Sequence, residues 1–206
     1  MRFNLDNPVF DYLNTAVHYC ALNIVFILCC LPIVTAGPAI AALYQVMMRE
    51  ARGEHGYLLS KFFLHFKEMF VQAALTFFLF VLLIGTAGYA AVFWFGLGTM
   101  IGLAAAALAA VFCLLCLAAA MYAFPLMARF QNSFRQTLKN AFLMVFVHFK
   151  ATAGMILICV FMISMYCLFT PMKIFMLLIG FSFIFFCCSF ILNKVFEPYV
   201  KAAPAA

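Results

Sequence analysis

Long runs without a formal charge alternate with short polar segments along this chain, and the alternation predicts membrane-crossing helices with their connections. Residues 12–48 carry no Asp, Glu, Lys or Arg, a stretch that as one helix would reach about 55 Å at 1.5 Å per residue. A bilayer core of about 30 Å needs only about 20 residues. The run is therefore too long for one crossing, and Pro32 with Gly37-Pro38 places a break inside it. This predicts a first span over 16–34 and a short second one over 38–48. Residues 49–68 mix both signs of charge (Arg49, Glu50, Arg52, Glu54, Lys61, Lys67, Glu68). Residues 69–128 are again free of charge, with FGLGT at 95–99 as the expected turn between spans 69–95 and 99–128. Two last apolar runs, separated by Pro171 and Lys173, predict spans 151–170 and 174–193.

Between the fourth and fifth of these spans lies the segment 129–150, RFQNSFRQTLKNAFLMVFVHFK. At about 100° per residue, Phe130, Phe134, Leu138, Ala141, Phe142 and Val145 share one helical face. Arg129, Asn132, Ser133, Arg135, Gln136, Lys139 and Asn140 share the other. That pattern predicts one amphipathic helix lying at a membrane surface. The expected fold is thus all-α: a polytopic transmembrane helix bundle of six crossings in one domain over 1–206, with two amphipathic cytoplasmic elbows.

Composition sharpens the class. Apolar residues make up 69% of the chain and charged ones 9%, where soluble domains carry roughly 25% charged residues; a soluble fold is excluded. The net charge of +6 does not point to nucleic acid, because the bases are spread through short loops between apolar runs. In a membrane protein such an excess marks the cytoplasmic side. With six crossings and both termini cytoplasmic, only Lys173 lies outside. With five crossings and an outer N-terminus, Arg2 joins it, so the counts barely separate the two and the length of the first run favours six. Arg2 followed by Asp6 and Asp11 lacks the basic start and cleavage site of a signal peptide, so the first span is expected to be retained.

Chemistry inside a bilayer usually leaves an ionisable group within a span, and no Asp, Glu, Lys or Arg lies deep within one here. His18 and Asn23 are the candidate intramembrane polar site, with Asp11, Asn14 and His18 on one helical face; a polar stripe bonding neighbouring helices is the simpler reading. Cys113 and Cys116 form a CxxC without the further ligands a metal site needs, and the nine cysteines read as small buried side chains. His65-Phe66-Lys67 and His148-Phe149-Lys150 suit helix ends at the interface. No catalytic, cofactor or metal-binding residue is expected, and no enzyme. The candidate docking residues are Arg129, Asn132, Arg135, Gln136, Lys139 and Asn140. Anionic lipid would account for the bases alone, whereas the amide and hydroxyl content, Gln131, Asn132, Ser133, Gln136, Thr137 and Asn140, suits a protein partner equally well.

An internal echo links the two polar segments. Ala41-Ala42-Leu43-Tyr44 leads to Arg49 and then to Phe63-Leu64-His65-Phe66-Lys67. Ala119-Ala120-Met121-Tyr122 leads to Arg129 and then to Phe146-Val147-His148-Phe149-Lys150. Such duplication is common in transporter folds and in membrane proteins that transport nothing.

Three blocks carry a family resemblance: LCCLPIVTAGPAIAALY (28–44), the RGE-containing 52–57 leading to FKEMFVQA (66–73), and ARFQNSFRQTLKNA (128–141). In this order they resemble the YesL-type family of bacterial membrane proteins, a domain of unknown function, over about 7–195. The resemblance implies a polytopic protein of the bacterial cell membrane, often encoded beside carbohydrate ABC importers and polysaccharide-degrading enzymes; it brings no catalytic residues. Glu50-Ala51-Arg52 with Gly56 matches the first half of an importer permease EAA loop, but Phe66, Glu68 and Met69 stand where its Ile-x-Leu-Pro continuation belongs, so no permease subunit is expected. The leading expectation is a non-enzymatic accessory component of a carbohydrate ABC importer, docking through the two elbows. The rivals are a small secondary transporter or channel with a polar path near His18 and Asn23, and a lipid-binding or scaffold homo-oligomer associating through small residues such as Ala104 to Ala107.

Overall fold

The computed structural model describes residues 8–54, 56–130 and 132–202, with side chains over 16–54, 56–130 and 132–201. Arg2, Asp6 and Gln131 and the side chains of Asp11 and Asn14 lie outside the described residues. The described chain is helical with no strand: α1 (Pro8–Cys30), α2 (Ile33–Glu50), α3 (Leu58–Glu68), α4 (Phe70–Gly96), α5 (Met100–Arg129), α6 (Phe134–Val147), α7 (Phe149–Leu168), α8 (Thr170–Phe175) and α9 (Phe181–Ala202). A π-helical turn, Met176–Gly180, joins α8 to α9.

The helix at the centre is α2. It packs against α1, α3, α4, α5 and α9, and its residues are apolar on both sides. Ala41, Tyr44 and Met48, at i, i+3 and i+7, enter one buried cluster with α4, α5, α6, α7 and α9. Ala39, Ala42, Leu43, Val46 and Met47 enter a second with Leu22 and Phe26 of α1 and Leu58 and Phe62 of α3. A helix apolar all round belongs inside, and here it separates two half-cores. The Tyr44 ring packs on Phe185 of α9 at a tilt of 55°, with ring centroids 4.4 Å apart.

The break in the first apolar run falls at Leu31-Pro32, and Gly37-Pro38 lies inside α2. The expected turn is thus corrected to a position earlier in the chain. Pro38 sits one turn into the helix, so it removes a single bond to the exposed end of α2. Thr35 Oγ1 donates to the Pro32 carbonyl at 2.7 Å and secures that end. Gly37 meets α4 almost backbone to backbone: a Cβ there would strike the Ala73 carbonyl oxygen and lie 2.7 Å from Phe77 Cβ.

Among the described residues, four helical runs are long and apolar enough to cross a membrane: α4, α5, α7 and Thr170–Lys201. A shorter apolar run, Ala16–Cys30, lies in α1. The turn between α4 and α5 falls inside the predicted FGLGT, with Gly98 at φ +64° and Thr99 Oγ1 accepting from the Gly102 N–H at 3.1 Å as N-cap. The outward faces of α4, α5 and α7 are apolar, with Val71, Leu82, Val92, Leu108, Val111 and Leu157 exposed. Surfaces of this kind suit hydrocarbon as solvent. The chain is a multi-pass membrane protein.

Candidate functional site

The alternating helices gather charge at one end. Of the twelve Lys and Arg, Arg2 lies outside the described residues and Lys173 sits in α8 at the opposite end; the other ten are at the end where α2, α5 and α9 finish and α4 and α7 begin. Three pieces of structure shape this basic end.

The first is the C-terminus of α2. Gly53 at φ +78° allows its N–H to bond the Glu50 carbonyl at 2.9 Å and the Glu54 N–H to bond the Arg49 carbonyl at 3.0 Å, a Schellman ending that needs the left-handed residue glycine adopts freely. The turn brings Glu54 onto Arg52 (2.6 Å) and Arg49 (3.2 Å). The Arg52 hydrogen bond, with the charges of Arg52, Arg49 and Arg129, holds the Glu54 carboxyl below the usual carboxylate range. Arg52 Nη1 also donates to Asn193 Oδ1 of α9 at 3.2 Å, and Asn193 Nδ2 donates to the Met48 carbonyl at 2.9 Å. The Arg-Gly-Glu turn is therefore a clasp between α2 and α9.

The second piece is α3, which buries Leu58 and Phe62 and turns Phe63, Leu64, Lys67 and Glu68 outward. His65 Nδ1 meets Glu68 Oε2 at 3.0 Å. At Met69 the chain kinks directly into α4.

The third is the segment expected to be one helix over 129–150, and here the expectation is corrected. Arg129 is the last residue of α5, Phe130 is extended at φ −126°, ψ 137°, and α6 spans only Phe134–Val147 before His148 kinks the chain into α7. Local anchors cause the breaks. The Phe130 ring stands edge-on to Phe196 of α9, centroids 5.6 Å apart. Gln72 Nε2 of α4 donates to the Asn132 carbonyl at 3.0 Å. Ser133 occupies the N-cap position with extended backbone. At the other break, His148 Nε2 shares a hydrogen bond with Tyr199 Oη at 3.0 Å, and the His148 carbonyl accepts from Thr152 Oγ1 at 3.1 Å.

The buried face of α6 is Thr137, Ala141, Met144 and Val145; Phe134, Leu138 and Phe142 are half-buried beside it. Its outward stripe changes character along its length. Arg135, Gln136 and Lys139 occupy the first half, and Leu143, Phe146 and Val147 follow. The exposed side of α6 is thus polar in its first half and apolar in its second. Of the six candidate docking residues, Arg135, Gln136 and Lys139 are exposed together, and none of these three makes an ion pair or hydrogen bond among the described residues. Asn132 and Asn140 are half-buried, and Arg129 turns toward Arg52 and Glu54.

Away from this end, Asn23 is fully buried against the π-helical turn. Its Nδ2 donates to the carbonyls of Met176 (3.2 Å) and Leu177 (2.8 Å), and its Oδ1 accepts from the Ser182 N–H at 3.0 Å. A π turn leaves backbone groups without their usual partners, and one amide satisfies three of them. His18, one to two turns earlier in α1, is half-buried. Cys113 Sγ reaches the Ile84 carbonyl at 3.8 Å, and among the described residues no cluster of three or more His, Cys, Asp and Glu suits a metal ion.

Several of these contacts escape a sequence reading. Asn193 reads as the last residue of a span and Gln72 as a polar residue near the start of another, with no spacing that announces their distant partners. The Arg-Gly-Glu turn did leave a signal, since a glycine after a basic helix end and before an acid is the pattern of a glycine C-cap.

No curated protein and no solved structure matches the chain. Residues 19–90 match the family described as "Protein of unknown function, DUF624"; YesL-type proteins are of this family, so the chain carries the DUF624 signature over the segment that builds α2, the Arg-Gly-Glu clasp, α3 and most of α4.

Proposed function

We propose that the protein is a non-enzymatic accessory component of a carbohydrate ABC-type importer, crossing the bacterial cell membrane six times with both termini and the basic end in the cytoplasm. The observation that carries this reading is the α6 row Arg135, Gln136 and Lys139, exposed together and without hydrogen-bond or ion-pair partners among the described residues, on a helix whose opposite face is locked into the core. Two cations and an amide held at fixed spacing suit a complementary acidic protein surface. Burial of Thr137, Ala141, Met144 and Val145 leaves the row no freedom to fold back. The six crossings would be α1, α2, α4, α5, α7 and the Thr170–Lys201 run, with α2 at about 27 Å as the short one. The excess of base at one end supports the orientation. The sugar-uptake setting rests on the family resemblance.

A transporter reading is less favoured because the Asn23 amide already bonds the backbone at 176–182, leaving little of it for a substrate.

The test is co-purification in mild detergent from the native membrane. The protein should bring importer subunits with it, and Arg135→Glu with Lys139→Glu should release them while leaving the melting temperature within the usual small range for surface changes. Recovery of the wild-type chain alone, in full yield, would refute the proposal.

A further inference from the structure

A groove of about 720 Å³ opens between the start of α7 and the second half of α9. Its floor and walls are Ile191, Val195 and Pro198 on one side and Phe149 and Ala151 on the other. At its mouth stand Lys150 and Lys194, one from each helix, with His148 between α6 and α7. Both lysines are exposed, and neither makes an ion pair or hydrogen bond among the described residues. Glu197, the acid on the same stretch of α9, is taken up by Lys201 at 2.7 Å. The His148 ring is fixed by Tyr199. The mouth is therefore cationic while the walls are hydrocarbon.

The depth of the groove is also set. His148 marks the change from an amphipathic helix to a membrane-spanning one, which places the two ammonium groups at the headgroup level and Ile191 below them. We infer that this groove binds one anionic phospholipid, its phosphate between Lys150 and Lys194 and the start of an acyl chain along Ile191 and Val195. A soluble anion would meet the lysines but gain nothing from the apolar walls. A zwitterionic lipid would fit the walls but carry its own cation to the lysines. Charge and shape together select a lipid with net negative charge. The site is separate from the α6 row, so it stands or falls independently of the importer proposal.

The experiment is native mass spectrometry of the full chain in detergent, titrated with phosphatidylglycerol or with phosphatidylcholine of the same acyl chains. The expected result is one saturable phosphatidylglycerol per chain that excess inorganic phosphate does not displace, and no comparable phosphatidylcholine. Lys150→Gln with Lys194→Gln should weaken that binding about tenfold or more with unchanged melting in lipid-free detergent. Arg135→Gln with Lys139→Gln removes the same charge from α6 and should leave it intact. Equal binding of the two lipids, displacement by phosphate, or an equal loss in both double variants would overturn the assignment.

Discussion

Gly37 and Asn23 show how single residues set the distances between helices here. Gly37 lets α2 reach the Ala73 backbone of α4, and Gly37→Leu should force the two apart. Overpacking of this kind costs about 1–3 kcal/mol, visible as a lower melting temperature in detergent and weaker expression. Asn23→Ala would take the side-chain partner from two carbonyls and one N–H of residues 176–182 in the protein interior. The expected loss is about 1–3 kcal/mol, and Asn23→Asp, which keeps the acceptor but replaces the amide donor, should not restore it. A third residue titrates. Glu54, held below its ordinary range by Arg52 and its neighbours, contributes stability that is present above its unfolded value and is lost as pH falls through its folded one. The melting difference between wild type and Glu54→Gln should therefore shrink on acidification through the carboxylate range; a difference independent of pH would contradict the ion-pair account. The Gly37 and Asn23 contacts have no sequence spacing that announces them, because each partner lies in another helix, whereas Glu54 pairs locally with Arg52 and Arg49 across the glycine turn. What the sequence does show is their chemical oddity: a glycine beside a proline, an amide in an apolar run, an acid after a glycine.

At the scale of elements, hydrophobic run length placed the long helices well, since α4, α5 and α7 begin and end close to the charge boundaries that predicted them. Run length fails where tertiary contacts decide. The segment 129–150 has a continuous helical pattern and no glycine or proline inside it, yet Phe130 packing on Phe196 and Gln72 bonding the Asn132 carbonyl open it into an end, a linker and α6. Pro38 is a helix breaker by residue type, but close to the start of α2 one missing N–H is inexpensive. The two elbows share an order: a helix with an arginine in its last turn, an amphipathic helix, then a kink straight into a spanning helix. Their His-Phe-Lys segments are not equivalent, however. His65 lies inside α3 and pairs with Glu68, while His148 is itself the kink and pairs with Tyr199. If both elbows dock one partner, Lys61→Glu with Lys67→Glu on α3 should weaken co-purification as the α6 charge reversal does, whereas an effect confined to α6 would limit the docking surface to that helix.

For the whole molecule, the central place of α2 is the feature least visible in the chain. Its length and its polar end make it the weakest of the apolar runs, and only its burial on all sides reveals it as the post joining two half-cores. The family match over 19–90 covers this post, the Arg-Gly-Glu half of its clasp and the first elbow. Topology follows from the proposed six crossings: reporter fusions after Thr35 should report the outer side and fusions after Gly53 the cytoplasm, and the same side at both positions would rule out α2 as a crossing. The docking proposal itself is tested most directly by a photo-crosslinking amino acid at Gln136, activated in growing cells. The expected result is a discrete protein adduct, identified by mass spectrometry as an importer subunit and abolished by Arg135→Glu with Lys139→Glu; adducts to lipid alone, or a protein adduct indifferent to that charge reversal, would contradict it.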